Sequence, residues 1–280
     1  MSRTREDDME VGGLHIQGIA EGGVETNLRV PELKLMFDIG MCPPKALNFR
    51  RVMISHGHTD HFGGIHYYLS QRGMRKLPRA HIHLPEELVE PLEELLAVWS
   101  KIEGFSYDYV LHPSKPGESY ELNQTITGHA IRTQHRVPSL AWVIERKTRR
   151  LREAYKGLEG REIAELRKQG VQVTDPVIVP VLGVTGDTTI DTFIASERLR
   201  TCKVLVHECT SWDDRRGVEV TRGWGHTHVD ELIEQLEHFE GETVVLVHRS
   251  LRHSRGFAKR VVNERFPPHL REKIRVFGYD

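Results

Sequence analysis

The sequence predicts a layered α/β fold with a chemical site along one edge of its sheets. Three observations lead there. Short apolar runs alternate with amphipathic segments through the second half of the chain. Polar residues repeatedly terminate the apolar runs: Asp38, His56, His135, Asp187, Glu208 and His248. One stretch, ISHGHTDHFGG at 54–64, packs three histidines and an aspartate into six positions. In layered α/β folds the strand ends gather on one edge, so such residues can converge. Any one of the six could cap a strand or a following helix, but that reading explains all of them together poorly.

Taken in order, LHIQGIA and TNLRVPELKLMFDIG read as strands and turns, the second closing on Asp38. RVMIS at 51–55 is a short buried strand, and FGGIHYYLSQ starts a helix. His56, His58, Asp60 and His61 therefore sit on a strand-to-helix loop. HIHLP is another strand. PEELVEPLEELLAVWSKI is a helix with acidic residues in its first turn, where the helix dipole favours them. SYELNQTITGHAIRTQH and LAWVIERKT are strands meeting near His135. A polar stretch from about 146 to 176 follows, containing a short amphipathic helix, GREIAELRKQG, closed by Gly170. PVLGVTGD, KVLVHEC and TVVLVHRS are strands ending in Asp187, Glu208 and His248. HVDELIEQLEHF and RGFAKRVVNERF are helices, and KIRVFGYD is a final strand.

A chain of 280 residues can build one large domain or two modest ones. Its mean hydropathy of −0.44 and the lack of any apolar run of spanning length argue against a membrane protein. The N-terminus, MSRTREDDME, is polar, lacks an apolar signal region and is expected to fray. The cysteines are Cys42, Cys202 and Cys209, with no CxxC pair, which excludes a Cys-rich zinc site and a disulfide framework. They suit a reducing compartment, so a cytoplasmic location is expected. Net charge is −1, so attraction to nucleic acid must come from a local patch. The run RKTRRLR, Arg146–Arg152, carries five positive charges in seven residues and is the candidate, the alternative being a solvated basic loop.

His56, His58, Asp60 and His61 cannot all hide in a core. Buried imidazoles need hydrogen-bond partners and a carboxylate needs a counter-charge. Neutral imidazole and carboxylate are the usual ligands of Zn, Mn or Fe. His56 and His58 lie two apart on an extended segment and point the same way. They would share one ion with a distant histidine. Asp60 and His61 would hold a second ion with another distant histidine. One carboxylate would bridge the two at a separation of about 3.5–4 Å. His135, Asp187 and His248 are the candidates for the distant ligands.

The His-x-His-x-Asp-His motif, a downstream His, a Gly-Asp-Thr and a late strand-end His resemble the metallo-β-lactamase superfamily. HRVPSLAWVI, GVTGDTT, LVHECTSWDD, GWGHTHVDEL and LVHRSLRHS resemble successive motifs of ribonuclease Z, the tRNA 3′-processing endonuclease, in its short form. YKGLEGREIAELRKQGVQVTDPV is similar to short enzymes of the plant type. The resemblance runs from about residue 11 to residue 277. It implies a four-layer αβ/βα sandwich forming a single domain over 1–280, with a short basic arm-like insertion at about 146–180. It implies two divalent ions, zinc first and Mn or Fe as alternatives, and precursor tRNA as partner. A homodimer is expected.

Carried over residue by residue, the resemblance places His56, His58 and His135 on one ion and Asp60, His61 and His248 on the other, with Asp187 bridging. Asp38 would orient a metal histidine. Asp60 would orient the attacking water or accept its proton. Glu208 would pair with His226, the candidate general acid for a poor leaving group. The other reading of His226 is a surface helix cap, and His228 is expected to be an exposed bystander. HRSLRH departs from the family's HFSxRY: Arg252 keeps its place while Phe and Tyr are lost. The insertion at 146–180 also lacks the long Gly- and Pro-rich arm of some bacterial members. Two other functions compete. One is another hydrolase of this fold, acting on a small or cyclic phosphodiester, a thioester or a lactone. The other is a catalytically silent RNA-binding protein. The Glu208–His226 pair and the basic run favour the nuclease.

Overall fold

Half of each sheet is antiparallel and half parallel, and the parallel halves end at one common edge. A computed structural model describes residues 6–279. The fraying expected at the N-terminus falls partly on residues 1–5, outside the described residues, while Asp7–Val11 forms a paired strand.

The first sheet is ordered β1 (Asp7–Val11), β2 (Leu14–Gly22), β3 (Glu25–Val30), β4 (Leu35–Phe37), β5 (Arg51–Met53), β6 (Ala80–Pro85) and β7 (Tyr109–Ser114). Hairpins make β1 to β4 antiparallel. From β4 to β7 the strands are parallel, because the chain crosses over between them. The crossover helices are α1 (Thr59–Phe62) and α2 (Ile65–Met74), then α3 (Val89–Glu103). The second sheet starts with β8 (Ser119–Asn123), β9 (Ile126–Arg132), β10 (Leu140–Leu151) and β11 (Thr174–Val184), all antiparallel. It continues in parallel through β12 (Val204–Glu208) and β13 (Thr243–Val247), and β15 (Ile274–Val276) forms its far edge. Between these two, β14 (Arg249–Ser250) crosses to pair with β2 of the first sheet. The helices of this half are α4 (Gly160–Lys168), α5 (Asp191–Ala195), α6 (Glu197–Thr201), α7 (Val218–Gly223), α8 (Val229–Gln235), α9 (Arg255–Arg265) and α10 (Pro268–Arg271).

Strand alternation sorts the apolar side chains into three cores. Leu28, Phe37, Met53, Trp142, Leu182 and Val206 pack between the sheets. Val52, Ile54 and Ile82 face Ile65, Leu69, Leu92 and Leu96 of the helices on the first sheet. Val143 and Leu205 face Phe193, Leu199, Leu232 and Val262 on the second. Three cores separate four layers, in the order helix, sheet, sheet, helix.

TNLRVPELKLMFDIG forms β3 and β4 with a turn at Pro31–Lys34 between them, where Lys34 has φ +56°. Two local expectations need correction. Asp60 and His61 lie in the single turn of α1 rather than in a loop. The basic run is not a loop either. β10 and β11 continue as an antiparallel ribbon from Arg146 opposite Val179 to Leu151 opposite Thr174, and α4 lies in the segment joining them. The β-branched Thr148, Val177, Ile178 and Val179 carry strand propensity that the flanking arginines mask in a reading by charge.

The sheets are pinned together at the end of β5. The Trp142 indole Nε1–H donates to the Ile54 carbonyl at 3.1 Å, and Leu140 N–H donates to the Ser55 carbonyl at 2.9 Å. Trp142 is buried. Trp142→Phe should leave the Ile54 carbonyl without its indole partner and lower stability by about 1–3 kcal/mol. Denaturant melting of the variant measures this, and an unchanged midpoint would show that the indole bond is not a stabilising clamp.

Candidate metal centre

Six of the candidate side chains lie at or beyond the carboxyl end of a strand. Asp38 follows β4, His56 follows β5, His135 lies beyond β9, Asp187 beyond β11, and His248 directly follows β13. Glu208 is the last residue of β12. The structure brings all of them together at the edge where the two sheets meet.

The ring proton of each histidine is assigned by what surrounds it. His61 Nδ1 donates to Asp38 Oδ2 at 2.7 Å. Ser55 also donates to this carboxylate, through its backbone N–H at 2.7 Å and its hydroxyl at 2.8 Å. That hydroxyl accepts from His56 Nδ1 at 2.9 Å. His135 Nδ1 donates to the Gly225 carbonyl at 2.8 Å. Gly225 has φ +78°, and a Cβ there would stand 2.7 Å from His135 Nδ1, so the close approach needs glycine. His248 Nδ1 donates to the Thr210 hydroxyl at 3.0 Å, which in turn donates to Glu208 at 2.8 Å. In all four rings Nδ1 carries the proton and Nε2 keeps its lone pair.

Those nitrogens converge, and His58 Nδ1 joins them. His56 Nε2 lies 3.0 Å from His58 Nδ1, which lies 3.3 Å from His135 Nε2. His61 Nε2 and His248 Nε2 are 3.3 Å apart. Asp187 reaches both groups: Oδ2 is 3.7 Å from His56 Nε2, and Oδ1 is 3.4 Å from His61 Nε2 and 3.3 Å from His248 Nε2. Asp187 Oδ1 is buried and has no hydrogen-bond partner. Asp60 Oδ2 accepts from Gly23 N–H at 2.9 Å and stands 3.5 Å from His248 Nε2. Two donor sets result, His56–His58–His135–Asp187 and Asp60–His61–His248, and a third grouping, Asp187–His226–His248, overlaps both through shared residues. Inward lone pairs and an orphaned carboxylate oxygen repel one another unless a cation lies between them, so this donor set fits divalent metal ions.

Beside the two sets, Glu208 is fully buried. Oε1 accepts from Thr188 N–H at 3.0 Å and from His226 Nδ1 at 2.8 Å. Burial disfavours charge on His226, but the Glu208 carboxylate outweighs it and pushes the imidazole up to about 9. His226 stacks on His248 with centroids 5.3 Å apart, at the rim of the cluster. The capping role considered for His226 belongs to its neighbour. His228, expected to be exposed, is buried and caps α8, where Nδ1 accepts from Asp230 N–H at 3.2 Å. An imidazole in place of the usual Ser or Asp cap hid that signal. Arg252 is exposed and donates to Ser250 Oγ at 3.1 Å. Sequence reasoning missed Ser55, Thr210 and Gly225. Their adjacency to His56, Glu208 and His226 was the available hint.

A protein-family model described as Anti-Pycsar protein Apyc1 matches residues 30–151. Among curated proteins, the chain is 35% identical to tRNase Z TRZ1 of Arabidopsis thaliana, over 95% of this chain and 95% of that one. It is 36% identical to the chloroplastic tRNase Z TRZ2 of the same plant, over 88% of this chain and 70% of that one. Among solved structures, it resembles the metallo-β-lactamase fold protein YhfI of Bacillus subtilis, with a TM-score of 0.64 at 14% identity, over 92% of this chain and 93% of that one. The last likeness shows the fold, and the four layers agree with it.

The geometry makes Asp187 the shared donor and Thr210 the support of His248. Asp187→Ala should lose both ions on dialysis, as read by elemental analysis, and full metal content in that variant would remove Asp187 from the shared position. Thr210→Val should weaken metal binding about 10–100-fold, because His248 is released to its other tautomer.

Proposed function

The chain belongs to the ribonuclease Z (tRNase Z) family, and on that premise we propose that it is a metal-dependent endoribonuclease removing the 3′ trailer of precursor tRNA. The observation that carries this reading is the pair of donor sets converging on one carboxylate, with an acid–imidazole pair at their rim. His56, His58 and His135 would hold one ion, Asp60, His61 and His248 the other, and Asp187 both. Zinc suits so nitrogen-rich a set best, with manganese or iron as alternatives. The chemistry such a pair supplies when bound is polarisation of a phosphoryl oxygen and activation of water at neutral pH.

The chain's own residues do the rest. Asp60, fixed by Gly23 N–H, orients the attacking water and accepts its proton. Glu208, pinned by Thr188 and Thr210, holds His226 through Nδ1 and leaves Nε2 to protonate the departing 3′ oxygen. A thioester, whose thiolate departs without a proton, would need no such donor.

The ribbon of β10 and β11 is the proposed RNA contact. Arg149 and Arg167 line a cavity of about 390 Å³ with no carboxylate in its lining. Arg152 instead pairs with Asp175 at 2.8 Å, which weakens its claim within the run. A homodimer and a cytoplasmic location belong to the same reading. Leu95, Val98 and Ile102 form an exposed apolar stripe on α3 available to a second copy, and the three cysteines are free and buried. Among the described residues no helix is long and apolar enough to cross a membrane.

His226→Ala should keep its metals and lose about a hundredfold to ten-thousandfold in turnover of precursor tRNA, whose leaving alkoxide is strongly basic. A nitrophenyl phosphodiester, which departs without a proton, should suffer much less. Equal losses on both substrates would make His226 a positioning residue. Replacing Arg149 and Arg150 with Glu should weaken precursor-tRNA binding and flatten its dependence on salt, because fewer counterions are released. An unchanged salt slope would take the ribbon out of the RNA interface.

A further inference from the structure

A cavity of about 310 Å³ shares a wall with the metal centre. The shared element is His135, which lines the cavity and belongs to the first donor set. The volume is at the scale of small-ligand sites. Pro85, Pro116, Val137 and Pro138 supply the apolar part of a lining that is polar over most of its area. Arg132 and Arg136 also line it, both exposed, and neither guanidinium has a side-chain partner among the described residues. Glu87 adds one carboxylate to the lining. The loop that carries these groups is tied across its base by a hydrogen bond between the Thr133 and Ser139 hydroxyls. Ser139 in turn bridges to His56, so the cavity wall is fixed to the ligands.

We propose that this cavity is a nucleotide subsite: its proline and valine surface takes the base of a nucleotide flanking the scissile phosphate, and Arg132 and Arg136 take that nucleotide's phosphate. The inference rests on the ribonuclease reading of the site. An enzyme that cuts within a chain must seat a neighbour of the reacting group, and a single-stranded RNA end can splay its base out of the stack. Guanidinium forks match phosphate geometry, and apolar side chains beside them shield one face of a base from water without reading its sequence.

Calorimetry on the metal-loaded protein tests this with two probes, a nucleoside 5′-monophosphate and inorganic phosphate. Replacing Arg132 and Arg136 together with Ala should weaken the nucleotide about tenfold, as expected for lost charged hydrogen bonds. Val137→Trp, which fills the cavity, should weaken the nucleotide and spare inorganic phosphate. The arginine variant should also raise KM for precursor tRNA more than it lowers kcat. Unchanged nucleotide affinity in both variants overturns the subsite. A wild-type protein that binds the nucleotide in this variant-sensitive way yet leaves RNA uncut keeps the subsite and overturns the ribonuclease reading instead.

Discussion

The centre depends on which nitrogen of each imidazole carries its proton. Asp38, Ser55, Gly225 and Thr210 each take an Nδ1–H, and the opposite nitrogens are thereby forced inward as bare lone pairs. Two such nitrogens 3.3 Å apart with facing lone pairs, as in His61 and His248, are a costly arrangement in a protein. It persists because the oxygens behind the rings are themselves fixed by backbone or by buried groups. Selectivity for a cation is therefore built one layer behind the ligands.

Backbone strain sits at corresponding places in the two sheets. Asp38 follows β4 and His248 follows β13, and both have φ +56°. That conformation costs an L-residue of this kind roughly 1–2 kcal/mol. It turns the chain sharply away from the strand, so Asp38 can reach Ser55 and His61 while His248 faces Asp187. Asn27 donates to the Asp38 carbonyl at 3.0 Å and helps to hold the turn. Strain of this order is expected where surrounding contacts over-determine a functional residue.

Much of the site was legible because strand periodicity and ligand chemistry coincide in this chain. Polar residues ending apolar runs mark strand ends, and the structure places Asp38, His56, Asp187, Glu208 and His248 at one edge. The supporting residues were less legible. Ser55 and Thr210 act through a single hydroxyl whose partner is set by tertiary structure, and Gly225 acts through its carbonyl, which no side chain announces. The ribbon was misjudged because charge hides strand propensity in a segment whose cross-strand pairing is long-range. His228 was misjudged because its burial depends on packing around α8, which a local pattern does not contain.

The order of the donors along the chain has a consequence during synthesis. His56, His58, Asp60, His61 and His135 emerge from the ribosome well before Asp187, and His248 comes last. Until β13 docks beside β12, a nascent chain offers an incomplete set with no closed wall behind it. Metal affinity arises only in the folded state, so loading follows closure of the sandwich and then stabilises it. A chain still attached to the translation machinery is thus chemically silent until nearly all of it has been made.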